Sequence, residues 1–329
     1  MSNNGAAVMT RIASVGILAA IVTVVVRMLG ADAAASYPTS TVRLICWSSA
    51  GAPLDVMMRQ VGKQLGDVFG RTFVVENRPG AEGAVAMSAV IAAPADGHTL
   101  LSTTSSMSFA MALGDSKYGP DDFIVLPALQ AEPSAVAGRA DSRIKSLPDF
   151  IDAIRASPDR LSVGGFSSAG FHQYVFYRLQ QEGRFKSIWV PFKGGQDAAL
   201  ALLGGHIDVA IITPSSALSQ IQSGDIRLLG VSAAQRSAFF PQVPTFKEQG
   251  YDVAESIWRS VMVKAGTPPP VIDTLVAAIE EMKRSERWKA FSRQNMQSDV
   301  TTSLAAMQKQ VRDEIAADRA FLQAAGIKK

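Results

Sequence analysis

One pattern occurs twice in this chain and limits its fold more than any other feature: an apolar strand, a loop of small residues, then a helix. The first copy opens with Val42-Arg43-Leu44-Ile45-Cys46, an apolar run of the kind a buried parallel strand shows. Trp47 follows, and Ser48, Ser49, Ala50, Gly51 and Ala52 make a short loop. Pro53 suits the first helical position, where its missing N–H costs nothing. Leu54, Met57, Met58, Val61 and Leu65 then recur at helical spacing and give the helix one apolar face. The second copy has a strand over residues 160–164, the loop Gly165-Phe166-Ser167-Ser168-Ala169-Gly170, and a helix over 171–181. A helix opened by small residues presents free backbone N–H groups and its positive dipole end, which suits a carboxylate or phosphate. Two such loops predict an anion site built in two halves.

The remaining elements extend each copy into a doubly wound α/β unit. After the first helix come a strand over 72–76, the turn Asn77-Arg78-Pro79-Gly80, a helix over 85–93 and a strand from His98 to Leu101. That strand runs into the polar stretch Ser102-Thr103-Thr104-Ser105-Ser106. Strands over 123–129 and 134–137 mark a crossing, and a helix over 147–156 has Ser146 as its cap. The second copy continues with a strand at 187–191, a helix at 196–203, a strand at 207–212 and the loop Thr213-Pro214-Ser215-Ser216. A strand over 226–232 follows, and residues 257–263 cross back to the first unit. Helices over 271–283, 285–294 and 303–324 close the chain with amphipathic, packing-type patterns. The expected division is therefore one lobe from 36–136 and 259–329, and a second from 137–258.

Residues 1–35 read as a secretory signal peptide: Arg11, an apolar run over 12–26, and Ala33-Ala34-Ala35 before Ser36. Fifteen apolar residues ended by Arg27 are short for a membrane span. Removing Arg11, Arg27 and Asp32 takes the net charge from +3 to +2, too little to argue for a nucleic-acid partner. The expected location is periplasmic. Cys46 is the only cysteine, so no intramolecular disulfide forms. The three histidines, His98, His172 and His206, have no paired spacing, and neither a metal site nor a cofactor is expected.

Several segments together resemble the extracytoplasmic solute receptors of tripartite tricarboxylate transporters, the Bug or TctC family. They are Val74-Val75-Glu76-Asn77-Arg78-Pro79-Gly80-Ala81, Pro94-Ala95-Asp96-Gly97-His98-Thr99-Leu100-Leu101, Val190-Pro191-Phe192-Lys193-Gly194 and Gly204-Gly205-His206-Ile207-Asp208-Val209. Residues 242–251 and 265–270 complete them, in family order along the chain. The resemblance implies a type II periplasmic binding protein-like fold: two doubly wound α/β lobes joined by two crossing strands. It also implies a carboxylate ligand in the interlobe cleft, held by the two small-residue loops and delivered to membrane subunits. The chain departs from the family at both loops. The first usually reads Pro-Phe-x-Pro-Gly-Gly-Gly-Thr-Asp, where this chain has Trp47-Ser48-Ser49-Ala50-Gly51-Ala52-Pro53-Leu54-Asp55. The second lacks the usual Gly-Asn-Gly-Ser character, and Ile212-Thr213 stands where many relatives carry Asp-Asn. Losing that acid and gaining Trp47, Phe166 and Phe171 favours a ligand with an apolar or aromatic body over an amino acid.

The candidate ligand contacts of the first loop are Trp47, Ser48, Ser49, Ala50 and Gly51, with Asp55 just inside the helix. Those of the second loop are Phe166, Ser167, Ser168 and Ala169, with Phe171 and His172 at the helix start. Ser105, Ser106, Thr213 and Ser215 join them at two other strand ends. Plainer roles stand beside these: Asp55 could favour the helix dipole, Trp47 and Phe171 could pack, and His172 could cap a helix. Two other functions fit parts of the sequence. Gly165-Phe166-Ser167-Ser168-Ala169 approaches the Gly-x-Ser-x-Gly elbow of an exported serine hydrolase, but with alanine for the last glycine and no convincing late acid and histidine pair. A binding protein that reports to a membrane sensor would share every residue of a transport receptor.

Overall fold

Every strand of the doubly wound pattern is present, sorted into two sheets with the same internal order. The computed structural model describes residues 37–114, 117–157 and 160–327; the expected signal segment lies outside them. The first sheet is built on β1 (Val42–Cys46), β2 (Phe73–Asn77) and β3 (Thr99–Thr104), which run parallel with β1 in the middle. β11 (Ser256–Lys264) lies antiparallel against β3 and carries β4 (Phe123–Val125) and β5 (Gln130–Pro133); β12 (Ser298–Asp299) closes that edge. In the second sheet β7 (Ser162–Phe166) lies between β8 (Ile188–Phe192) and β9 (Val209–Ile212), all parallel. β6 (Ala135–Arg139) lies antiparallel against β9 and is followed by β10 (Ile226–Val231). The orders β2-β1-β3-β11-β5 and β8-β7-β9-β6-β10 superpose in role. Each sheet accepts one antiparallel strand delivered from the other lobe.

Among the described residues, ten α-helices cover these sheets: α1 (Pro53–Phe69), α2 (Ala84–Ile91), α3 (Ser105–Leu113), α4 (Leu147–Ala156), α5 (Phe171–Gly183), α6 (Gly195–Leu203), α7 (Leu218–Ser223), α8 (Pro269–Arg284), α9 (Glu286–Gln294) and α10 (Leu304–Ala324). Serine caps start α4, α9 and α10: Ser146, Ser285 and Ser303 each accept a first-turn N–H. α3 departs from the sequence pattern, in which Ser102 to Ser106 is a polar stretch with no helix after it. Thr104 is its cap, accepting from Ser106 N, and Met107, Phe109 and Met111 supply its buried side chains.

The chain leaves the first sheet at Ser134, between β5 and β6, and returns after β10. The two crossings are bonded to each other: Ser232 N donates to Ser134 O at 2.8 Å, and Ser134 N to Ser232 Oγ at 2.9 Å. Ser232 and Glu255 then exchange bonds of 2.6 Å, Ser232 Oγ to Glu255 O and Glu255 N to Ser232 O. β11 lies in the first sheet along its whole length, so Trp258 is not itself a crossing residue.

α10 covers the back of these crossings. Trp258 Nε1 donates to both carboxylate oxygens of Glu314 at 2.8 and 2.9 Å, and Phe321 packs edge-on against Tyr174 and Tyr177 of α5. Asp318, one turn beyond Glu314, is buried, and its Oδ2 has no partner among the described residues. Burial, then the neighbouring Glu314 and Glu255, push its pKa from 3.8 to about 8. Between those values the folded chain holds one proton that the unfolded chain has released, so this group's stability contribution falls by about 1.4 kcal/mol per pH unit as pH rises. Asp318→Asn should remove that slope. In urea melts, the stability difference between variant and wild type should widen steadily from about pH 4 to 8 and then level off.

Candidate ligand-binding cleft

The C-terminal ends of β1 and β3 in one lobe face those of β7, β8 and β9 in the other across a cleft of about 870 Å³. Ligands of open α/β sheets bind at this edge because the helices that follow the strands begin there. Four helix N-termini open onto the cleft: α1 through Ala52 to Leu54, α3 through Thr104 and Ser106, α5 through His172, and α6 through Gly194 to Gln196. Of these, α1, α5 and α6 carry no side-chain cap. Their first-turn N–H groups therefore lack the serine partner that α4, α9 and α10 have, and their dipoles favour an anion without a formal cation.

The first loop is held from beneath. Asp55, 2 % exposed, accepts from Gly51 N at 2.8 Å, Arg59 Nε at 3.1 Å and Asn77 Nδ2 at 2.8 Å, and Asn77 also donates to Ser48 O at 3.0 Å. Burial raises the Asp55 pKa, and the bonds from Arg59, Gly51 and Asn77 outweigh it, so the carboxyl lies below its ordinary value. This network fixes Gly51 in the left-handed region at φ 81°, where a side chain would be strained. The second loop turns on Ser167 at φ 66°, with Trp189 Nε1 donating to Ser167 O at 2.7 Å. Gly165 has no room for a side chain: a Cβ would lie 2.4 Å from the Trp189 ring and 2.6 Å from Ile211 O.

Ten of the sixteen sequence-derived contacts line the cleft: Trp47, Ser48, Ser49, Ala50, Ser106, Phe166, Ser167, Ser168, His172 and Thr213. Six do not, each for a local reason. Asp55 and Gly51 are spent on one another inside the loop. Ser105 Oγ accepts from Trp258 N, and Ser215 bonds Glu132 through both N and Oγ. Ala169 donates its N–H back to Ser167 Oγ, and Phe171 is buried with its ring 5.5 Å from that of His172. His172 is bonded through Nδ1 to Ser134 Oγ at the crossing. Desolvation, then the charge of Arg259, lower its pKa to about 3, so the ring is neutral at physiological pH. Among the described residues, no hydrogen bond joins a histidine to Ser167 or Ser168.

The lining also includes residues the sequence reading did not name: Pro79 to Gly83, Thr104, Gly194 to Asp197, Ser216, Ile257 and Arg259. Arg259 had a legible signal, a cation inside an apolar strand. Charges are almost never buried unless paired. Its partner Glu132 at 2.9 Å is on β5. The two lobes also touch across the cleft elsewhere: Gln196 Nε2 donates to Gly51 O at 3.1 Å, the Trp47 and Phe166 rings lie 6.0 Å apart, and the Glu82 carboxyl bonds the Ser167 side chain.

The profile of TctC, the Tripartite tricarboxylate transporter family receptor, matches residues 57–327. The chain belongs to this receptor family. The match begins past the first loop. Among curated relatives, the receptor is 30 % identical to BugT of Bordetella pertussis over 257 residues, covering 76 % of this chain and 78 % of BugT. Among solved structures, it is similar to Rpa4515 of R. palustris with adipate, at 25 % identity and a TM-score of 0.80, covering 88 % of this chain and 98 % of that one. MatC from Rhodopseudomonas palustris with bound malate shares the fold at 23 % identity and a TM-score of 0.78, covering 86 % of this chain and 99 % of that one.

Asp55→Ala should cost about 1–3 kcal/mol in urea unfolding, because Gly51 N, Arg59 and Asn77 lose their shared acceptor. The contribution is present above the ordinary carboxylate range and is lost as pH falls through the lowered folded pKa. The difference between variant and wild type should therefore shrink in acid.

Proposed function

We propose that this receptor captures a small carboxylate in the interlobe cleft and passes it to the membrane subunits of a tripartite tricarboxylate-type transporter, without turnover. The observation that carries the reading is the set of uncapped helix N-termini from both lobes opening onto one cleft. Dipoles from both sides acting on one bound anion favour closure, since the anion interacts with both lobes only when they meet. The adipate held by the related Rpa4515 supports a carboxylate as ligand. The expected signal segment, residues 1–35, and the family support a periplasmic location for this capture.

Trp47, Phe166 and Phe192 give part of the lining an apolar character and favour a ligand with an apolar or aromatic body. The paired bonding of Ser134, Ser232 and Glu255 at the crossings supplies the hinge. Among the described residues no histidine is bonded to Ser167, so nothing there supports an elbow-type hydrolase.

A thermal-shift screen of amino acids, dicarboxylates, tricarboxylates and aromatic carboxylates tests this reading. A ligand at 100 times its Kd adds about 2.7 kcal/mol, enough for a clear rise in Tm. Ser48→Trp and Ser168→Trp should each remove the shift while leaving the unliganded Tm near wild type. Shifts that survive both changes would move the binding site away from this cleft.

A further inference from the structure

Arg259 stands apart from every other charge in the cleft wall. Glu82, Lys193 and Asp197 also line it but are exposed, whereas Arg259 is 3 % exposed. Alternation along β11 turns Ile257 and Arg259 to the cleft and Trp258 to the opposite face, onto Glu314. Among the described residues, the guanidinium bonds only through Nη1, to Glu132 Oε2; its Nε and Nη2 have no protein acceptor. Glu132, 1 % exposed, is by contrast fully engaged: Oε1 accepts from Ser215 N at 2.6 Å, and Oε2 from Ser215 Oγ at 2.7 Å and Arg259 at 2.9 Å. Ser215 belongs to the other lobe, so this carboxylate fixes both the arginine and the loop that closes over it.

The sheet orders give the cleft a direction. Arg259 pairs with Thr104 on the hinge side, and Thr213 and Ser216 follow β9, which adjoins the crossing strand β6. Trp47 ends β1, with β3 between it and β11, so it stands two strand spacings out, about 9–10 Å. Phe166 and Phe192 end the corresponding outer strands β7 and β8. One buried guanidinium therefore faces the hinge end of the cleft, and aromatic rings face the outer end. A ligand body lying on those rings carries any second carboxylate beyond them to the exposed rim. At the exposed rim it would meet two acids, Glu82 and Asp197, against one cation, Lys193.

We propose that Arg259 joins the helix N-termini around it in reading the ligand's one carboxylate, and that it makes the receptor prefer acids with a single carboxylate on an aryl body, with Glu132 as its positioning residue. The inference rests on the receptor reading above and narrows its ligand class.

Isothermal titration of the purified protein with benzoate, phenylacetate and 3-phenylpropionate, against adipate, malate and the three matching amides, tests it. Wild type should bind at least one aryl acid more tightly than adipate or malate, and more tightly than its own amide. Arg259→Gln should weaken that acid by about 10- to 100-fold and leave the amide unchanged. Arg259→Lys should keep part of the preference for the acid over its amide, since it keeps the charge and loses the fork. It also serves if the glutamine variant does not fold. Glu132→Gln should shift the dicarboxylate to monocarboxylate affinity ratio toward adipate, because the arginine's charge is then uncompensated; a purely structural role would leave that ratio alone. Equal losses for acid and amide in the arginine variants, no loss in either, or a wild type that prefers adipate or malate would overturn the proposal while leaving the receptor reading intact. A folded wild type that binds none of these acids would instead count against the receptor reading, and this inference would fall with it.

Discussion

The structure depends on an exchange of strands. β11 enters the first sheet antiparallel beside β3, and β6 enters the second antiparallel beside β9, each arriving from the other lobe. Neither sheet is complete without the strand the other sends. The exchange joins the lobes by two short crossings, which Ser134 and Ser232 bond together. It also sets the carboxyl ends of both parallel sets against each other. The cleft, its helix N-termini and its hinge follow from that one topological fact.

Recognition in such a cleft draws on backbone dipoles beside the one buried cation, Arg259. The loops ahead of α1, α5 and α6 begin without side-chain caps, so the cost of unsatisfied N–H groups is borne where an anion can relieve it. Rigidity comes from behind the loops. Asp55, Asn77 and Arg59 hold the first, and Trp189 packed on Gly165 holds the second. These side chains are expected to act on affinity by pre-organising backbone donors, which reduces the ordering cost of binding.

The parts of the fold that were legible in the sequence are those governed by local pattern. α4 matches the expected span and its Ser146 cap is observed, because a capped amphipathic helix is specified by ten consecutive residues. α3 was missed because Ser105 and Ser106 read as loop, while the helix is fixed by a Thr104 cap and by burial of Met107 and Phe109 against other elements. Within the site, the loop residues at strand ends were found because strand, loop and helix are contiguous. Asp55, Ser105, Phe171 and Ser215 sit at equally suitable sequence positions, yet their side chains are taken up by Gly51, Trp258, His172 and Glu132. For Ser105 and Ser215 the deciding partner is 153 and 83 residues away, beyond the reach of local pattern.

The sequence by itself determined the two doubly wound lobes, the repeated strand, loop and helix, and the small-residue character of the loops. These follow from hydrophobic period and from turn and cap chemistry, which act over a few residues. The tertiary structure alone decided that Arg259 and Glu132 pair at the cleft floor, that Ser215 of one lobe closes on Glu132 of the other, and that Asp318 lies buried behind the hinge. Those contacts join residues 83 to 127 positions apart. Long-range electrostatics in a desolvated interior depends on which groups the folded topology brings together, and local pattern carries no record of that.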